Sequence, residues 1–253
     1  MGTALVTGAT SGLGKEFCWQ LAAAKHNLVM VARDRRRLEE LADQLRQVAA
    51  VNVEVLPADL AEPEQLARVC HRLAQDERPV GLLVNNAGFG LGKPFLENSL
   101  DRELYGMEVM VRAIMATCHF AGRAMVDRGR GAILNVSSVA ADTGMGTYSA
   151  HKAWVRAFSE GLAEELRGTG VTCTVVSPGL VRTEFHKRLG NDMSHVPELV
   201  WSTPEQVVSE ALMAVRRGKP LVTPTPLYKV TNWLSRVAPR ALVRRVTKLL
   251  PHM

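Results

Sequence analysis

Thr3-Ala4-Leu5-Val6-Thr7-Gly8-Ala9-Thr10-Ser11-Gly12-Leu13-Gly14, close to the start of the chain, joins a short apolar run to three glycines. The apolar run predicts a buried β-strand, and the residues from 13 to 25 have the pattern of a helix. Glycine allows a tight turn and a close approach of the backbone to a ligand, while a helix N-terminus offers free N–H groups and a positive dipole end. The stretch therefore predicts a strand, a phosphate-holding turn and a helix.

The rest of the chain repeats this alternation of strand and helix. Short runs rich in β-branched residues, which are typical of strands buried on both faces, lie at 27–33, 52–58, 80–86, 132–138, 171–179 and 220–223. Helical patterns lie near 34–48, 63–76, 100–127, 147–168 and 204–217. Such alternation predicts an α/β fold, a Rossmann-like doubly wound parallel sheet of about seven strands with helices on both faces.

The length and composition fit one large domain. The chain has 253 residues, 47% of them apolar and 22% charged, which is ordinary for a globular protein. Its four cysteines are scattered without C-x-x-C spacing, which favours reduced, buried thiols over a metal or disulfide site. We find neither a secretory leader pattern nor an apolar run of about 20 residues, and therefore expect a cytoplasmic protein.

The C-terminal segment differs from the rest of the chain in its balance of basic and acidic residues. The segment 227–253 holds six basic residues and no acid, whereas the other 25 basic residues balance the 25 acids. A nucleic-acid-binding protein with an evenly basic surface is therefore not expected. We predict one catalytic domain over 1–226, in which the irregular segment 184–202 covers the site, and a basic amphipathic tail over 227–253. The tail either contacts an anionic membrane surface or docks as an ordinary terminal helix.

Five motifs occur in a characteristic order: TGATSGLG at 7–14, NNAG at 85–88, NVSS at 135–138, YSAHK at 148–152 and PGLVRT at 178–183. In order and spacing they resemble the classical short-chain dehydrogenase/reductase family, over residues 3–183 and more loosely to 223. The resemblance implies an oxidoreductase that interconverts a carbonyl and a secondary alcohol of a small-molecule substrate with a nicotinamide dinucleotide. It also implies a homodimer or homotetramer.

Tyr148 and Lys152 share one face of the predicted helix because they are four residues apart. A free phenol has a pKa near 10, and a neighbouring cation stabilises the phenolate and lowers that pKa. The pair can therefore exchange a proton with a substrate oxygen. The resemblance adds Ser138, which would polarise the carbonyl, and it makes Tyr148 and Lys152 cofactor contacts as well, with Lys152 at the nicotinamide ribose.

The residue that ends the second strand distinguishes NADP from NAD. Arg33 stands there, and a basic side chain at this point accommodates the 2′-phosphate of NADP. NADP(H) is therefore favoured, with NAD(H) possible because Asp34 follows, although Asp34 is also a good helix N-cap. Arg35 to Arg37 are interpreted as a solvated helix face.

The remaining predicted cofactor contacts fall into two groups. The glycine turn contributes Gly8, Thr10, Ser11, Gly12, Leu13 and Gly14. The resemblance contributes Asp59 and Leu60 at the adenine, Asn86, Ala87 and Gly88 beside the adenosine, and Pro178, Gly179, Val181 and Thr183 near the carboxamide. No metal site is predicted.

The sequence departs from the family pattern at two places. Tyr148 follows Ser138 by ten residues, a shorter connection than in many classical members, and Met110 stands where many carry a relay asparagine. Met110 leaves open an alternative function, a dinucleotide-binding sensor or scaffold with weak or no catalysis. If the chain is an enzyme, the apolar character of 184–201 favours a hydrophobic or 3-oxoacyl-type substrate.

Overall fold

A computed structural model describes residues 2–185 and 196–230. Within them lies one parallel sheet of seven strands in the order β3-β2-β1-β4-β5-β6-β7. The strands are β1 Thr3–Thr7, β2 Asn27–Ala32, β3 Val53–Pro57, β4 Val80–Asn85, β5 Gly131–Val136, β6 Val171–Val176 and β7 Leu221–Val222. The predicted α/β class, the parallel sheet and the number of strands are confirmed.

Helices cover both faces of this sheet, as predicted. They are α1 Gly12–Ala23, α2 Arg35–Ala49, α3 Pro63–Ala74, α4 Leu100–Met107, α5 Ala113–Asp127, α6 Gly146–Glu165 and α7 Pro204–Arg216. Val6 of β1 packs with α1, α2 and α7, whereas its neighbour Leu5 packs with α3, α5 and α6. Successive residues of a strand point to opposite faces, so the domain has two apolar cores. All four cysteines are free and buried in these cores.

The helix predicted near 100–127 is continuous from Leu100 to Asp127 but not uniform. A π-helical turn at Glu108–Arg112 separates α4 from α5, and Met110 lies inside it. Such turns are rare and often occur at functional sites. The whole helix is long and apolar enough to cross a bilayer, but half of that window is buried within the protein. A core helix passes the same test, so this is weak evidence for a membrane span.

The strand order reverses at β1, which has β2 on one side and β4 on the other. The loops that leave β1 and β4 therefore diverge and open a crevice at the carboxyl edge of the sheet. Short hydrogen bonds fix these loops. The Thr7 hydroxyl accepts from the backbone N–H groups of Asn86 and Ala87, both at 3.0 Å, and the Asn86 side-chain amide donates to the Thr7 carbonyl at 3.0 Å.

A buried polar chain runs beneath the crevice. The Asn85 amide donates to Asn135 Oδ1, the Thr117 hydroxyl donates to Asn85 Oδ1, and the Asn135 amide donates to Ser159 Oγ, each at 2.9 Å. Together these four side chains connect β4, β5, α5 and α6. Satisfied buried networks hold their elements in one arrangement, so this chain fixes α6 relative to the strands.

Replacing Asn135 with alanine should lower the free energy of unfolding by about 3 kcal/mol, because the Asn85 amide and the Ser159 hydroxyl lose buried partners. Urea denaturation followed by circular dichroism measures this change. Asn52→Ala is the matched control, because Asn52 is exposed, and it should change the free energy by less than about 0.5 kcal/mol. An equal, small change in both variants would contradict the structural role of the network.

Candidate active site

One cavity of about 1010 Å³ occupies the carboxyl edge of the sheet. It begins at the glycine turn, passes the ends of β4 and β5, and ends among apolar side chains of the segment that follows β6. The cavity is lined by every predicted site residue except Gly14, namely Gly8, Thr10, Ser11, Gly12, Leu13, Arg33, Asp59, Leu60, Asn86, Ala87, Gly88, Ser138, Tyr148, Lys152, Pro178, Gly179, Val181 and Thr183.

The glycine turn has the geometry that the sequence predicts. Gly8 and Gly12 adopt positive φ angles of 66° and 50°, which only glycine tolerates readily. Gly14 acts differently, because a Cβ there would lie 2.1 Å from the Gly8 carbonyl oxygen. Gly14 thus lets α1 pack closely against the turn without lining the cavity, and its predicted contact with a cofactor stays a prediction.

A hydrogen-bonded trio forms the end of the cavity at which the sequence predicts the adenosine. The Tyr105 hydroxyl donates to the Asp59 carboxylate, at 2.8 Å from Oδ2, and accepts from Arg33 Nη1 at 2.9 Å. Burial and the neighbouring carboxylate raise the pKa of Tyr105, so the phenol stays protonated. Sequence reasoning found Arg33 and Asp59 but missed Tyr105, which comes from α4 and carries no motif.

Arg37 also belongs to this end of the cavity. Its guanidinium donates to the Thr10 carbonyl at 3.1 Å and lies 3.9 Å from the Glu184 carboxylate. Asp34 caps α2 as predicted by accepting from the Arg37 backbone N–H. The interpretation of Arg35 to Arg37 as one solvated face is therefore wrong for Arg37, which the first turn of α2 directs toward the glycine turn. Arg35 and Arg36 are exposed as expected.

Ser138, Tyr148 and Lys152 meet at the middle of the cavity. Ser138 follows β5, whereas the other two lie on one face of α6 near its start. Ser138 lies close enough to the Tyr148 phenol to lower the phenol pKa, and its oxygen accepts a hydrogen bond from the Ala140 N–H at 3.1 Å. The Lys152 ammonium lies 5.7 Å from the centre of the Tyr148 ring and donates to the Val136 carbonyl at 2.9 Å.

The short connection between Ser138 and Tyr148 does not separate these groups. It forms a 3-10 turn at Val139–Asp142 before α6 begins. Asp142 pairs with Arg156 further along α6, and the hydroxyl groups of Thr143 and Ser149 lie 3.1 Å apart. These contacts hold the shortened loop against the helix.

Burial controls the protonation of the two titratable groups. It raises the pKa of Tyr148 to about 12, with a smaller opposing effect from Ser138, and it lowers the pKa of Lys152 to about 8. Met110 contributes to this dry environment, because its sulfur and the Lys152 ammonium both lie within 3.5 Å of the position that a Cβ on Gly88 would take. Burial therefore outweighs the lowering of the phenol pKa that the nearby cation was expected to cause.

Apolar side chains line the far end of the cavity. They are Met145, Leu180, Phe185, Val196, Pro197, Val200 and Tyr228. The Phe185 and Tyr148 rings are 5.8 Å apart, so this end adjoins the predicted reacting group. The predicted covering segment 184–202 contributes four of these residues, and its part from 186 to 195 lies outside the described residues.

The fold is a Rossmann-like sheet, and the cavity at its switch point joins a glycine turn to a serine, a tyrosine and a lysine. These features together define a class of protein, the nicotinamide-dependent oxidoreductases. The family model for short chain dehydrogenases matches residues 2–194. The chain belongs to this family, and it is an oxidoreductase acting on CH–OH or C=O groups. The predicted family, fold and enzyme class are thereby confirmed.

Three relatives illustrate the match. Sulfoacetaldehyde reductase 2 of Chromohalobacter salexigens is 35% identical over 75% of this chain and 77% of its own. A short-chain dehydrogenase from Sphingobium yanoikuyae, solved with NADPH, is 34% identical, with a TM-score of 0.86 over 92% of this chain and 91% of that one. The bulky-bulky ketone specific alcohol dehydrogenase from Comamonas testosteroni is 30% identical, with a TM-score of 0.80 over 99% of both chains.

The lowered pKa of Lys152 should make stability depend on pH. Between about pH 8 and about 10.5 the unfolded chain binds this proton and the folded protein does not. The free energy of unfolding therefore rises with pH in this range, by up to about 1.4 kcal/mol per pH unit. Lys152→Met removes this contribution. The free energy of unfolding of the wild type minus that of the variant should therefore increase from pH 8 to 10.5, as measured by urea titrations without cofactor.

The exposed Lys219→Met is the matched control for this measurement. It should leave the slope of the wild-type curve unchanged. A constant offset between wild type and Lys152→Met, with no change of slope, would reflect only the lost hydrogen bond to Val136 and would contradict a depressed lysine pKa.

Proposed function

We propose that this protein interconverts a carbonyl and a secondary alcohol with NADP(H), with Tyr148 as the general acid and base. The observation that carries the proposal is that Ser138, Tyr148 and Lys152 line one cavity that continues to the glycine turn, with the Lys152 ammonium 5.7 Å from the centre of the Tyr148 ring. When bound, the nicotinamide cofactor supplies or accepts the hydride.

The protonation states fit the reductive direction. Burial keeps Tyr148 protonated at neutral pH, so its hydroxyl can donate a proton to a carbonyl oxygen as negative charge develops there. Ser138 can donate a second hydrogen bond to the same oxygen. Lys152 then stabilises the tyrosinate, and the attraction is strong because the site is buried. The pKa of Lys152 near 8 also fits a group that returns a proton to the tyrosinate.

Tyr148→Phe is the direct test. The variant should lose carbonyl reduction with NADPH by about a thousandfold or more, because phenylalanine keeps the ring packing but has no proton to donate. Its dissociation constant for NADPH, followed by nicotinamide fluorescence, should stay within about twofold of wild type. Unchanged turnover would refute the role of Tyr148. Tight NADPH binding by a wild-type protein that reduces no carbonyl compound would instead favour the sensor or scaffold.

NADP(H) is the favoured cofactor, and we propose that Arg33 and Arg37 together bind its 2′-phosphate. Both guanidinium groups line the same end of the cavity, one on each side of Asp34 along the chain. The glycine turn at 7–14 holds no basic residue, and Ser11 stands where a second cation is common in NADP-preferring relatives. Arg37 on α2 supplies that charge from a different element, and guanidinium groups suit bidentate phosphate contacts.

Arg33→Ala should raise the dissociation constant for NADPH by about tenfold or more, the effect of losing a charged hydrogen bond. Binding of NADH, which has no 2′-phosphate, should change by less than about threefold, and Arg37→Ala should show the same pattern more weakly. Arg35→Ala is the matched control because Arg35 is exposed. An equal loss for both nucleotides would show that Arg33 supports the fold of the site and does not select the phosphate.

The apolar end of the cavity supports a substrate with a sizeable apolar group. Relatives include the ketone-specific dehydrogenase described above and a very-long-chain 3-oxoacyl-CoA reductase of Anas platyrhynchos, 31% identical over 84% of this chain. We infer a hydrophobic ketone or 3-oxoacyl compound with the carbonyl at Tyr148 and the apolar group toward Phe185 and Val200.

Association of the chain with itself is also proposed. The continuous helix Leu100–Asp127 exposes Leu104, Met107, Met115 and Phe120, which supports a homo-oligomer of the kind that the family implies. The cytoplasmic location stays a prediction. A membrane contact of the basic tail also stays a prediction, because residues 231–253 lie outside the described part of the chain.

A further inference from the structure

Tyr228 connects three segments of the chain at the apolar end of the cavity. It lies in a helical turn at 226–230 that follows β7. Its hydroxyl accepts a hydrogen bond from the Leu180 backbone N–H at 3.0 Å and donates one to the Val200 carbonyl at 2.8 Å. A phenol has one proton to donate, and here that proton goes to Val200.

The ring of Tyr228, like its hydroxyl, has a specific packing partner. A Cβ at Gly179 would lie 2.1 Å from two ring carbons, so the ring lies directly on the bare backbone of that glycine. The loop 178–182 and the segment 196–202 also pair with each other, through the Ser202 N–H donating to the Leu180 carbonyl at 2.9 Å. Tyr228 contacts both segments, through the Leu180 N–H in the first and the Val200 carbonyl in the second.

The three segments form one wall of the cavity. Leu180, Val196, Pro197, Val200 and Tyr228 all line it, in the same space as Ser138 and Tyr148. Two of the backbone groups that carry this wall, at Leu180 and Val200, bond to the same hydroxyl. Loss of that hydroxyl would leave the ring on Gly179 and the hydrogen bond between Ser202 and Leu180 in place, but it would remove the link between the Val200 carbonyl and the loop that follows β6.

We propose that Tyr228 is a positioning residue of the substrate site, which fixes the apolar wall against which the larger group of the substrate rests. The proposal rests on the proposed function. It implies that discrimination by size depends on Tyr228: small ketones do not reach the wall, whereas ketones with long or bulky substituents pack against it.

The contacts of Tyr228 also bear on where the catalytic domain ends. The sequence predicts a catalytic domain that ends at residue 226 and a separate tail from 227. Tyr228 belongs to the substrate wall, so removal of residues 227–253 would disturb the site as well as the basic segment. A loss of activity on such removal would therefore not by itself identify a role for the basic residues.

Tyr228→Phe in the full-length protein tests the proposal, with methyl ketones from 2-butanone to 2-undecanone as substrates and NADPH as cofactor. The KM for the long ketones should rise by about tenfold, the effect of losing the order imposed by two hydrogen bonds. The KM for 2-butanone, the kcat and the dissociation constant of NADPH should change by less than about twofold. Val230→Ala is the matched control, because Val230 is exposed on the same turn.

Hydrogen exchange at the Leu180 amide provides a readout that needs no turnover. The amide should exchange faster in Tyr228→Phe, and also in Tyr228→Leu if the first variant folds poorly, but not in Val230→Ala. Unchanged exchange in both tyrosine variants would overturn the proposed contact. Faster exchange with no dependence of KM on ketone length would overturn its role in substrate positioning. Failure of the wild type to reduce any ketone would refute the proposed function, while exchange would still test the contact.

Discussion

The Thr7 hydroxyl, which accepts two backbone N–H groups from the loop after β4, is the contact on which the site depends. It lies where the strand order reverses, so it fixes the distance between the glycine turn and the loop that holds Gly88. The buried chain from Thr117 to Ser159 continues this order to α6. Through these contacts, groups that are far apart in sequence face one cavity.

The two groups proposed to react, Tyr148 and Lys152, are buried, and burial of the ammonium lowers the stability of the fold. Lys152 is almost fully buried, and a buried ammonium tends to lose its proton. Met110 adds apolar surface where many family members have an amide. The same dryness strengthens the interaction of the ammonium with any tyrosinate that forms, since a low dielectric increases the attraction between opposite charges. Burial of Lys152 therefore lowers folding stability but strengthens the attraction between its ammonium and a tyrosinate.

Much of this structure follows from local sequence patterns. The apolar runs predict all seven strands, and the Ser138–Tyr148–Lys152 trio follows from motifs whose spacing depends on one helix and one strand end. The residues that sequence reasoning missed are held by contacts across the fold. Tyr105 reaches Arg33 over 72 positions, and Tyr228 reaches Leu180 over 48. Neither belongs to a periodic pattern. The π turn at Glu108–Arg112 likewise leaves no signature, because apolar spacing and helix propensity do not distinguish one π turn from the α-helix that surrounds it.

The trio of Arg33, Tyr105 and Asp59 also bears on how a nucleotide would enter. A long arginine side chain in solvent samples many rotamers, and ordering it on binding reduces affinity. Here the Tyr105 phenol already holds Arg33 on one side and Asp59 on the other. Part of the conformational entropy is thus lost during folding, before any ligand arrives. The end of the cavity that is proposed to bind the adenosine is therefore preorganised, and under that proposal it would bind its part of the nucleotide before the nicotinamide end is ordered.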